Sequence, residues 1–141
     1  MPKNEPNEEV VCRMVEAINR RDLSALDDLV AEDVQRHSAA TAGLTINNRA
    51  QFKAFLEQDF VAVPDSRIEI DLMFSKGDLV AVRALYRGTQ RGNWGPFPPS
   101  NKVLELPYIS ILRVTEGRIA ELWVEWDNLS ALQQLGHFPV G

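Results

Sequence analysis

Two hydrophobic periods divide the chain. Between Val10 and Phe60 apolar residues recur every three to four positions, the spacing of helices with one buried stripe. Val10, Val11, Met14, Val15, Ala17 and Ile18 predict a first helix over about 8–20. Asn7 is its expected N-cap, and Glu8 and Glu9 stand in the first turn, where negative charge suits the helix dipole. Asp22 is placed to cap a short second helix carried by Leu23, Leu26, Leu29 and Val30. After a loop over 38–48, a third helix over about 49–61 puts Phe52, Phe55, Leu56 and Phe60 on one stripe, and Pro64-Asp65 ends it. Residues 1–6, polar with two prolines, read as a loose tail, which leaves a single domain over 7–141.

From Ile68 the period becomes two. Ile68, Ile70, Leu72 and Phe74 alternate with Arg67, Glu69, Asp71 and Met73, the pattern of a half-buried strand. Lys76-Gly77-Asp78 is a hairpin turn into a second strand, Leu79 to about Thr89. A Gly/Pro-rich loop over 91–102 carries Trp94 and Phe97 and leads to a third strand over about 103–114. Thr115-Glu116-Gly117 turns the chain into a last strand over about 118–126, and Asp127 caps a final helix, 128–135, closed by Gly136. Helices followed by a strand meander predict an α+β fold. In it the N-terminal helices pack on a curved, antiparallel, four-stranded main sheet, a cone-shaped barrel with room for a ligand.

Strand parity sorts the side chains of that cone. Leu104, Leu106, Tyr108, Ser110 and Leu112 share one face of the third strand, and Ala120, Leu122, Val124 and Trp126 share the apolar face of the last. The expected substrate pocket is therefore Leu106, Tyr108, Ser110, Leu122, Val124 and Trp126, with Trp94 reaching in from a loop that is either a lid or an apolar loop packed shut. The bland alternative is that these residues simply fill the core, and a bulge near Pro107 would swap the faces. Glu121, Trp123 and Glu125 face outward, and an exposed Trp between carboxylates points to a homodimer interface.

Composition removes whole classes of function. Of 141 residues, 45% are hydrophobic and 25% charged, an ordinary globular balance. With 15 basic and 20 acidic residues the net charge is −5, and no basic surface is present to grip nucleic acid. No apolar run approaches the roughly 18 residues of a membrane span, and no signal-peptide h-region is visible, so a cytosolic protein is expected. One cysteine and two histidines exclude an internal disulfide and a closed Cys/His zinc site, and no motif asks for a metal or an organic cofactor.

Several local patterns stand in a familiar order: Asp33-Val34-Gln35-Arg36-His37; Pro64-Asp65 before the first long strand; Gly77-Asp78-Leu79-Val80-Ala81-Val82-Arg83; Gly88-Thr89; Glu116-Gly117-Arg118-Ile119; Glu121 with Trp123; and Leu132-Gln133-Gln134-Leu135-Gly136. From about Glu9 to Gly136 the chain resembles the SnoaL-like polyketide cyclase family, within the nuclear transport factor 2-like superfamily. The resemblance implies a pocket for small hydrophobic, often polycyclic, carbonyl compounds. It also implies metal-free ring closure by aldol chemistry, with an Asp as acid-base group supported by His and Asn. The cyclases typically read Glu-His-Trp-Asp on the last strand. This chain reads Glu121-Leu122-Trp123-Val124, and Ser110 stands where a supporting His would fall. Alkyl groups cannot move a proton, so that mechanism does not transfer.

Replacement chemistry is sought in His37, Tyr108 and Arg83. His37 matches the family's His after the second helix and is the only His before the C-terminus; its bland role is packing and bonding a loop carbonyl. Arg83 would hold an oxyanion, or else pair with Glu69, Asp71 or Glu105. Asp127 is more simply an N-cap than an acid, and His137 is read as tail. The function expected is a cofactor-independent enzyme tailoring a hydrophobic carbonyl metabolite, by a relocated acid-base group or by shape alone. The alternatives are a non-catalytic carrier of a hydrophobic ligand and a filled structural domain.

Overall fold

The computed structural model describes residues 5–41 and 43–139. Its elements are α1 (Pro6–Asn19), α2 (Leu26–Leu29), β1 (Val30–His37), α3 (Arg49–Ala62), β2 (Arg67–Lys76), β3 (Leu79–Thr89), β4 (Val103–Thr115), β5 (Arg118–Trp126) and α4 (Asn128–Gln134). The helices start where local chemistry favours it. Pro6 opens α1, its fixed φ suited to the first helical position, so the helix begins one residue before the expected cap Asn7. Asn7 instead donates to the Gly77 carbonyl at 3.4 Å. The rest of the expected tail, residues 1–4, lies outside the described residues. At α3 the Asn48 side chain accepts from Gln51 N (2.8 Å) while Gln51 Oε1 accepts from Asn47 N (2.8 Å), a reciprocal cap. Asp127 Oδ1 accepts from Ser130 N at 3.0 Å and starts α4. Asp22 makes no such cap; it flanks a 3-10 turn, Leu23–Ala25, that runs into the four-residue α2.

The sheet has five strands rather than four, in the order β1-β5-β4-β3-β2, and is not closed. The added strand is the segment ending in His37, which docks parallel on β5 with Arg36 opposite Leu122 and His37 opposite Trp123. The other pairs are antiparallel. Helices α1 and α3 cover one face, around a core that includes Val11, Met14, Leu26, Phe52, Val80, Leu112 and Ile119. A second cluster, Leu104, Leu106, Ala131 and Leu135, joins α4 to the end of β4.

Two irregularities alter the expected faces. In β2 the register to β3 shifts between Ile70 and Leu72, which makes Asp71 a bulge. Beyond it the parity inverts: Met73 packs on the core, while Leu72 and Phe74 (62% exposed) turn outward. No irregularity occurs at Pro107; pairing of β4 with β3 runs unbroken from Arg113 to Val103. The reason lies at the end of β5, which stops at Trp126 opposite Tyr108. The Glu105 N–H and carbonyl on that side are taken by the Gln134 side chain (2.8 and 3.0 Å), so Pro107, two residues on, faces a gap where no ladder bond is lost. Among the described residues no helix is long and apolar enough to cross a membrane.

Candidate functional site

A cavity of about 930 Å³ lies between α3, α1, α4 and the inner sheet face. Most of its wall is apolar. Leu106, Tyr108 and Ser110 of β4 and Leu122, Val124 and Trp126 of β5 line it, as does Trp94 from the loop between β3 and β4. Phe52, Phe55 and Leu56 of α3 and Met14, Val15 and Ile18 of α1 face them.

The loop with Trp94 is held from beneath. Gln90 is fully buried, and its Nε2 donates to the carbonyls of Gly92 (3.1 Å), Phe97 (3.1 Å) and Pro98 (3.0 Å). His137 Nε2 meets Gln90 Oε1 at 2.8 Å, and the His137 ring lies 5.0 Å from that of Phe97. His137 therefore anchors the loop rather than forming part of a tail. Gly88 sits so close to α3 that a Cβ there would stand 2.3 Å from Val63 Cγ1.

Of the three residues considered for proton transfer or oxyanion binding, Tyr108 lines the cavity; His37 and Arg83 do not. Alternation along β1 turns Arg36 inward with Leu122, and His37 outward with Trp123. The His37 ring stacks on Trp123 (5.4 Å between centroids) and bonds Glu121 Oε2 at 2.8 Å. Arg83 stands on the outer face of β3 and pairs with Asp71, the bulge residue, one of the three partners expected for it. The convergence on one cavity that an acid-base reading requires is thus made by other side chains.

Those side chains are Asp59, Tyr86 and Arg36, all in the cavity wall. The Tyr86 hydroxyl donates to both Asp59 oxygens, at 2.9 and 3.1 Å. Removal from water pushes the Asp59 carboxyl up to about 6; the Tyr86 bond and the Arg21 and Arg36 charges only partly offset this. Tyr86 is pushed above its usual value by burial first and by the adjacent carboxylate second. Burial also raises Tyr108, whose hydroxyl has no hydrogen-bond partner among the described residues. Arg36 is pulled down to about 10 by burial and stays charged at neutral pH. The sequence does carry a trace of this corner. Asp59 falls on the apolar stripe of α3 at helical spacing from Phe52, Phe55 and Leu56, and Tyr86 shares parity with Val82 and Ala84. Among the described residues, no group of three or more His, Cys, Asp or Glu is placed to hold a metal ion.

The sequence profile of the SnoaL-like polyketide cyclase family matches residues 8–135. Among solved structures, IdmH from Streptomyces antibioticus, a proposed polyketide cyclase, is 31% identical, with 94% of this chain and 99% of that chain covered and a TM-score of 0.83. AclR from Streptomyces galilaeus, a proposed hydroxylase, is 24% identical over 94% of this chain and 97% of its own (TM-score 0.80). A proposed SnoaL-like polyketide cyclase from Jannaschia sp. CCS1 is 18% identical over 99% of each chain (TM-score 0.86). The latter two likenesses show the fold alone. No curated protein matches the chain significantly.

Proposed function

This chain belongs to the SnoaL-like polyketide cyclase family, and from that premise we propose that it is a cofactor-independent enzyme that cyclises or otherwise tailors a small hydrophobic carbonyl compound in its cavity. The observation that carries the reading is the polar corner in an otherwise apolar wall: an Asp59 carboxyl poised near neutrality beside two phenols. With Val124 at the position of the family's acid-base Asp, proton transfer moves from β5 to α3. Asp59 takes a proton from the carbon next to the substrate carbonyl, and the unpartnered Tyr108 hydroxyl donates a hydrogen bond to the oxygen that becomes an enolate. The enolate carbon then attacks a second carbonyl carbon of the same molecule, the π pair of that C=O moves onto its oxygen, and Asp59 returns the proton to the resulting alkoxide. The apolar wall keeps water out and holds the chain folded for closure. The cytosol and a second copy of the same chain, docked through the outer sheet face, complete the proposal.

A base in an apolar cavity is measurable without the natural substrate. The probe 5-nitrobenzisoxazole opens when a base removes its C3 proton. Turnover is expected to rise with pH through about 6, the value to which Asp59 is pushed, and to fall about a hundredfold or more in Asp59→Asn. Turnover that survives in Asp59→Asn sinks the assignment of the base. Saturable binding of the probe without any turnover favours the carrier reading instead.

A further inference from the structure

We propose that the molecule held in this cavity carries a carboxylate, and that Arg36 is the residue that binds it; the inference rests on reading the cavity as a ligand site. An arginine side chain has five N–H donors in a fixed fork. Arg36 commits one of them, from Nη1 to Thr41 Oγ1 at 3.2 Å, and among the described residues it makes no ion pair. Its guanidinium lies 4.4 Å from the centre of the Phe55 ring and 6.0 Å from that of Trp126, so aromatic rings flank the plane of the fork and leave its N–H edges to a ligand.

The contrast with the outer sheet face is direct. There Arg83 pairs with Asp71, Arg87 with Glu105 and Arg113 with Asp78, each in solvent where pairing is worth little. Arg36, by contrast, is buried enough for desolvation to lower it, and it has no carboxylate within ion-pair distance among the described residues, although a desolvated charge needs a partner most. The acidic groups that act on it are engaged elsewhere. Asp59 accepts two contacts from Tyr86, and Glu125 accepts from Ala39 N at 3.0 and 3.3 Å. Arg21, the second guanidinium near Asp59, is spent on the carbonyls of Ile18, Pro64 and Ser66. With Glu125 counted, Arg21 and Arg36 balance Asp59 and Glu125; what Arg36 has to spare is donors, and its fork matches a carboxylate edge-on.

The test uses two fluorescent probes of one shape, 2-anthracenecarboxylate and the neutral 2-anthracenecarboxamide, titrated into the full chain near neutral pH. The carboxylate is expected to bind about tenfold or more tightly than the amide, the effect of one charge-assisted contact. Arg36→Gln should abolish that preference while amide affinity stays within about twofold, and Arg36→Lys should keep part of it. A role for Arg36 in packing alone would weaken both probes together. Equal affinity of the two probes for the unmodified chain overturns the proposal, whether or not Arg36→Gln folds, and leaves the cavity as a neutral-ligand site. If neither probe binds, the ligand-site reading fails and this inference fails with it.

Discussion

At the scale of the residue, Asp59 is a carboxyl held where its ionised form is disfavoured, and that has a consequence for stability. Its value in the folded chain is raised from 3.8 to about 6. The folded state therefore binds the proton more tightly than the unfolded chain. The associated stability is full below about pH 4 and is lost as pH rises through about 6. Asn keeps an acceptor for Tyr86 but cannot ionise. Asp59→Asn is thus expected to be more stable than the parent at pH 8, by on the order of 2–3 kcal/mol, with the two converging below about pH 4. Urea denaturation at the two pH values measures this; a parent chain more stable than Asp59→Asn at pH 8 would contradict it. Combined with the expected loss of proton abstraction, the outcome would mark a group kept for chemistry at the expense of stability. Val124 and Ser110 make the complementary point: each occupies a place where the family resemblance implies a polar catalytic-type residue, and each now lines the cavity wall.

At the scale of the element, the loop between β3 and β4 is built around one buried amide. The Gln90 Nε2 donates to the carbonyls of Gly92, Phe97 and Pro98, of which Phe97 also accepts from Trp94 N, and His137 closes the network from beyond α4. Gln90→Leu leaves the Gly92 and Pro98 carbonyls without their donor and is expected to cost about 2 kcal/mol or more. Its specific signature is local. The Trp94 and Phe97 amides, bonded across the loop at 2.8 and 3.1 Å, should exchange their hydrogens much faster, and cavity probes should bind more weakly as the Trp94 wall loosens. Unchanged exchange at both amides would show that the loop is held by other contacts. The period of the sequence places this loop but not its anchor, because a Gln two residues after a Tyr-Arg-Gly run and a His near the end of the chain carry no periodic signal. The bulge at Asp71 was hidden for the same reason: one extra residue leaves the alternation of Ile68, Ile70, Leu72 and Phe74 intact in sequence while it inverts half of the strand in space.

At the scale of the whole molecule, the bulge builds a surface. Phe74, Ala81, Ile111 and Trp123 stand opposite one another across β2, β3, β4 and β5, with His37 of β1 at the end of the row. Leu72 and Ile109 flank it, 57% and 52% exposed. An apolar row across four strands, ended by His37 on the fifth, is the kind of face a second copy covers. Light scattering is expected to give about twice 15.9 kDa for the parent chain and a monomer for Ile109→Glu/Ile111→Glu, with cavity probes still bound. A monomeric parent at about 100 µM removes the homodimer from the proposal.

Sequence alone determined the helices, the four antiparallel strands and the inward face of β4 and β5, because periodicity and turn chemistry are local and each strand carries its own parity. It also carried the family, through an order of short patterns spread over the whole chain. Only the tertiary structure decided which polar groups meet. Parallel docking of β1 on β5 sends Arg36 inward and His37 outward, and the packing of α3 over β3 brings Asp59 to Tyr86. These outcomes depend on register between segments far apart in the chain, which no local pattern encodes.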